Sequence, residues 1–183
     1  LIAVAVADRN KEHGVHIVIE RGPVVLRVGS TSGGDEYINE TELGTGAHSL
    51  AVTPTGDFYI QFQNVLERQV LVDSVAIEAA GEMTIETPWL AADLRSIRFD
   101  QSGDVIFVAC AKSTDNIGYQ QRRIERRAAR SWSVVLYQPP DGPFRVANTT
   151  PITLAPSALV GNITITASKP VFRSTHVGAL FQL

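Results

Sequence analysis

The chain has 183 residues, of which 44% are hydrophobic and 19% charged, with a net charge of −3. That is enough apolar material for one medium or two small cores, and it excludes a disordered tail and a chain whose whole surface grips nucleic acid. With Cys110 the only cysteine, an intrachain disulfide and a thiolate zinc cluster are excluded too.

The first apolar stretch, Leu1–Ala7, is far shorter than the ~20 residues of a membrane span, and so is Val105–Ala111. Leu1–Ala7 has no basic n-region and runs directly into Asp8-Arg9-Asn10-Lys11-Glu12, so it reads as a strand from a preceding region (residues 1–12) and not as a signal peptide. The chain opens on leucine and closes on the alternation Leu180-Phe181-Gln182-Leu183, so both ends are expected to be cut from something longer.

Period-2 alternation then dominates: Val15–Ile19, Val24–Val28, Phe58–Phe62 and Ile163–Thr166 are short and rich in β-branched or aromatic residues. Gly/Pro/Asp turns punctuate them at Arg21-Gly22-Pro23, Ser32–Asp35, Thr55-Gly56-Asp57, Ser102-Gly103-Asp104 and Pro139–Pro143. The class is all-β. A jelly-roll β-sandwich is expected over residues 13–86, followed by a second small β unit over 87–183, with the boundary at 86–90 and a lesser division near Pro139–Pro143. Only Trp89–Leu94 and Gln120–Arg130 are compatible with helix. Ser49–Ile60 aligns with Ser96–Phe107 as strand, Gly-Asp turn, strand, which fits either propeller blades or two ordinary hairpins. Trp89, Phe99, Ile106 and Trp132 are the expected core anchors of the second unit, and Cys110, within Val105–Cys110, is expected to be a small buried hydrophobe.

No catalytic set is legible, and the expectation is a protein that is not an enzyme. His48-Ser49 cannot be a base–nucleophile dyad, because neighbours on a strand point to opposite faces. His13 and His16 have poor metal spacing, and Asp35, Glu36, Glu40 and Glu42 do not match a calcium loop. No metal or cofactor is expected, and Gly29–Gly34 lacks the lysine and helix of a phosphate loop. Glu78, Glu82 and Glu86 cannot be placed at glycosidase spacing from sequence. What remains is an arginine cluster, Arg122, Arg123, Arg126 and Arg127, suited to a subunit interface, a salt-bridged face or a DNA-facing surface. Tyr37 and Tyr59, with Phe62, are candidates for glycan contact.

Thr87-Pro88-Trp89, Asp93-Leu94-Arg95, Ser102–Val105, Trp132, Asp141-Gly142-Pro143-Phe144, Thr164–Ser168 and the closing His176-Val177-Gly178-Ala179-Leu180-Phe181 together resemble phage and prophage tail proteins, of the nozzle or tail-tubular-protein-B type of short-tailed phages. Gly44–Phe62 and Val70–Val75 look like a jelly-roll, carbohydrate-module-like insertion found in some of them. The resemblance implies a virion protein made in the bacterial cytoplasm. It would be a subunit of a ring, sixfold by analogy, contacting the tail adaptor or neighbouring tail proteins, with DNA passing through its channel. The alternative is a glycan-binding module contacting the host surface. No catalytic residues come with the family.

Overall fold

The computed structural model describes residues 1–5, 8–114, 118–138, 149–177 and 181. The strands of the first part are β1 (Ile2–Val4), β2 (His13–Arg21), β3 (Val24–Gly29), β4 (Ile38–Leu43), β5 (Gly46–Val52), β6 (Phe58–Gln63) and β7 (Leu71–Ile77). They continue as β8 (Ile97–Ser102), β9 (Val105–Cys110), β10 (Arg122–Ala128) and β11 (Ser131–Leu136). These form a four-stranded sheet in the order β1-β6-β3-β4 and a seven-stranded sheet in the order β7-β2-β5-β11-β10-β9-β8, with every pairing antiparallel.

The all-β class read from the alternation is present, and so is the two-sheet sandwich. Each sheet turns one side of its strands inward: Val15, Ile17 and Ile19 of β2 and Leu50 and Val52 of β5 meet Val24, Leu26 and Val28 of β3, Leu43 of β4 and Phe58 and Ile60 of β6. All are essentially sealed from solvent, and each such side chain contributes about 1.5–3 kcal/mol by leaving water. Residues of opposite parity on β2, such as His16 and Val18, face the other way.

The chain divides into two compact units, Leu1–Tyr137 and Gln138–Leu183. The division expected at 86–90 lies inside the first unit. The reason is long-range pairing: β11 aligns Trp132–Val135 with Ser49–Gly46 of β5, which welds the later strands onto the same sheet as the earlier ones. The second unit contains β12 (Leu154–Pro156) paired with β13 (Ile165–Ala167), and a 3-10 turn at Ser174–His176.

Three local expectations are corrected. Arg122–Ala128 is a strand and not a helix, because ladders to β9 on one side and β11 on the other satisfy its backbone and override arginine's helix propensity. The single turn expected at Trp89–Leu94 is a 3-10 turn over Ala91–Ser96. The aligned segments 49–60 and 96–107 are not repeats of one unit: β8 and β9 form a hairpin, whereas β5 and β6 belong to different sheets. Among the expected anchors Phe99 is 72% exposed, since β8 is the last strand of its sheet, while Trp89, Ile106 and Trp132 are half-buried.

Candidate interaction surface

The four arginines lie on β10, where alternation sends Arg122 and Arg126 to one side of the sheet and Arg123 and Arg127 to the other. They do not form one patch. Arg123 and Arg127 share the side that carries His48 and Ser133, and both pair with Glu125 between them, at 3.0 and 2.9 Å. Arg127 also donates from Nε to Ser133 Oγ at 2.6 Å and from Nη1 to the Glu42 carbonyl at 3.2 Å. Its charge is thereby absorbed into the seam between the two sheets. Arg122 is half-buried, and desolvation lowers its pKa. Arg126 is exposed and sits 3.4 Å from Asp104.

His48 is fully buried, and its Nε2 lies 2.9 Å from the Gly44 carbonyl, which fixes the proton on that nitrogen. Nδ1 therefore accepts from the Ser133 hydroxyl at 2.8 Å, and Ser133 in turn accepts from Arg127. Burial pushes the imidazole down to about 4, partly opposed by the Gly44 carbonyl and reinforced by the Arg127 charge. This is a serine–histidine pair, but both side chains have no exposed surface and the histidine is held by a backbone carbonyl where a catalytic triad has a carboxylate. It can join β5 to β11; it has no route to a substrate. No local signal marks Ser133, which lies 85 residues from His48 and meets it only through the β5–β11 register.

The remaining candidates are dispersed. His13 lies between the carbonyls of Asp8 and Glu78, at 2.9 and 3.0 Å. Glu36 binds the Ser30 hydroxyl and amide, which hold its carboxyl below the usual range, and Glu40 pairs with Arg27. Among the described residues no group of three or more His, Cys, Asp or Glu converges for a metal. Tyr37 spends its hydroxyl on Thr55 and packs edge-on against Phe58 at 6.3 Å. Tyr59 is half-buried between β1 and β3. Cys110 is buried as expected, which raises its thiol pKa, and its Sγ reaches the Asp93 carbonyl at 3.4 Å. The sequence marks Asp93 only within the Asp93-Leu94-Arg95 motif and gives no sign of its burial. It is a buried carboxylate that accepts from the Ser113 amide and the Tyr119 hydroxyl, both at 2.8 Å, which hold it below its ordinary pKa and tie the 3-10 turn to the segment that follows β9.

An open groove lies on the inward side at the far end of the large sheet. There Arg98 and Asp100 of β8, Phe107 and Ala109 of β9, Gln121 and Tyr137 border a groove of about 460 Å³. Phe107 and Tyr137 pack edge to face at 5.2 Å. This combination of an aromatic floor with charged walls is suited to binding a surface.

No protein-family model, curated protein or solved structure matches the chain.

Proposed function

We propose that this protein is a non-enzymatic structural subunit of a bacteriophage tail, of the nozzle type, which holds its place by packing against neighbouring copies and tail proteins. The observation that carries the assembly role is the state of the second unit. None of its described residues is buried, while Leu159, Val160 and Val177 are 92%, 75% and 89% exposed. Exposed apolar side chains in a segment whose described residues form no core mark a surface completed by something else. The first unit supports the same reading, because its buried polar groups, such as His48, Ser133 and Asp93, are engaged in cross-strand and loop contacts. The tail assignment itself rests on the resemblance of the quoted motifs. Two of them, Asp141–Phe144 and Gly178–Leu180, lie outside the described residues. Labelling tailed particles from a host that carries this sequence with an antibody against the chain should mark the tail tip; particles without the antigen would remove the assignment.

A glycan-binding reading has the groove of Phe107 and Tyr137 in its favour rather than Tyr37, whose hydroxyl is committed to Thr55. Titration with cell-wall polysaccharide while following intrinsic fluorescence tests it: saturable binding lost in Tyr137→Ala supports it, and no binding removes it.

A further inference from the structure

In the two sheets of the first unit four strands stand at edges: β1 and β4 in the small sheet, β7 and β8 in the large one. An edge strand offers a row of backbone groups to another strand, and proteins ordinarily blunt it with charge. For antiparallel pairing with a second copy of itself, each edge has a definite charge pattern. β1 has three residues. β4 carries only Glu40 and Glu42, which self-pairing brings against each other, and β7 carries only Asp73. β8, Ile97-Arg98-Phe99-Asp100-Gln101-Ser102, is different. Turned about a twofold axis through Phe99, it places Arg98 of one copy opposite Asp100 of the other, twice, with Phe99 opposite Phe99.

The backbone is ready for that register. Ser102 and Val105 close a two-residue turn whose first residue, Gly103, has φ +58°, the type II′ pattern, so they form a hydrogen-bonded pair. Alternation then directs Asp100 and Arg98 towards β9, and leaves the backbone groups of Ile97, Phe99 and Gln101 pointing outward. By that alternation the Phe99 amide and carbonyl point away from β9, and its ring is 72% exposed. Two of the other outward groups are covered by the strand's own charges. Arg98 Nη1 donates to the Ile97 carbonyl at 2.8 Å, and Asp100 Oδ1 accepts from the Gln101 amide at 2.9 Å. In the twofold pairing those same two groups, Ile97 C=O and Gln101 N–H, bond to each other across the copies. Arg98 and Asp100, released from guarding them, meet as a cross-strand ion pair. The Ile97 amide is already taken by the Leu94 carbonyl and needs no partner.

We infer that β8 is a homodimerisation edge, where two copies pair antiparallel about Phe99 and join their seven-stranded sheets into one. The charged side chains that shield the edge in a single copy become the specificity of the pair, since any register that fails to oppose Arg98 to Asp100 loses their attraction. The inference does not depend on the tail reading, because it is argued from the charge pattern and backbone of β8 alone.

The test is a charge-reversal cycle on the full chain, followed by sedimentation velocity across a concentration series. The wild-type chain should dimerise. Arg98→Asp and Asp100→Arg each set like charges opposite each other at both positions, and should weaken self-association by about ten- to thirtyfold. Mixed together, the two variants regain both opposite pairs and should form a heterodimer; the double swap within one chain should dimerise like wild type. Phe99→Pro deletes an outward amide while leaving the β8–β9 ladder intact, and should yield monomers with unchanged circular dichroism. A wild-type chain that stays monomeric at every concentration overturns the proposal. So does a dimer that neither charge reversal nor Phe99→Pro weakens, or a double swap that fails to associate.

Discussion

At the scale of single residues, the buried network around His48 makes the fold sensitive to acid. The folded imidazole titrates at about 4 and an unfolded one near 6.5, so as pH falls below 6.5 the unfolded chain takes up a proton that the fold refuses. Stability contributed by neutral His48 is therefore complete above 6.5 and is lost progressively down to about 4, a difference of about 3 kcal/mol. Asp8, Glu36 and Asp93, all with lowered pKa, act in the same direction but only within the carboxylate range. The slope between pH 6.5 and 5 belongs to the histidine. Denaturant melts over that window should show it in wild type and not in His48→Gln; equal slopes would mean that the proton goes elsewhere. Arg127→Met removes the donor to Ser133 and one partner of Glu125, at a cost of about 2 kcal/mol. It also removes a cation that depresses His48, so the variant's acid slope should be shallower than that of wild type.

At the scale of elements, the joint between β5 and β11 is the critical one, since it connects the sandwich to the rest of the large sheet. Gly46 begins β5 with φ +143°, and a Cβ there would drive into the backbone of Val134. Gly46→Ala is expected to cost about 2–3 kcal/mol through strain and loss of the first rungs of the ladder, read as a lower denaturation midpoint. Gly56→Ala, with open space around its Cβ, is the matched control and should be nearly neutral. How the elements were legible follows from the same physics. β2, β3, β6 and β9 announce themselves because alternation or β-branched density is a local property of the sequence. β10 does not: Arg122-Arg123-Ile124-Glu125-Arg126-Arg127 is compatible with a helix until β9 and β11 flank it, and those partners are fixed by the fold. The contacts of Ser133 and Asp93 stayed invisible for the same reason, each being defined by a partner distant in sequence.

At the scale of the whole molecule, acidic Gly- and Thr-rich hairpins give way near Thr87-Pro88-Trp89 to an Arg-rich segment, a change of composition that reads as a domain boundary, yet β7 before it and β8 after it belong to one sheet. Composition records a change of neighbours in the chain, whereas a domain is bounded by where burial ends, and among the described residues burial ends at β11. Among the described residues every buried apolar side chain, from Val15 to Val135, belongs to Leu1–Tyr137, and the second unit buries none. Cooperative unfolding is driven by that burial, so Leu1–Tyr137 should carry nearly all of the stability. A chain ended after Gln138 is expected to unfold in a single transition, with a midpoint within a few degrees of the full chain and an unchanged far-ultraviolet spectrum in the β region. Loss of the transition would instead show that residues 139–183 supply a strand or a cover on which the sandwich depends.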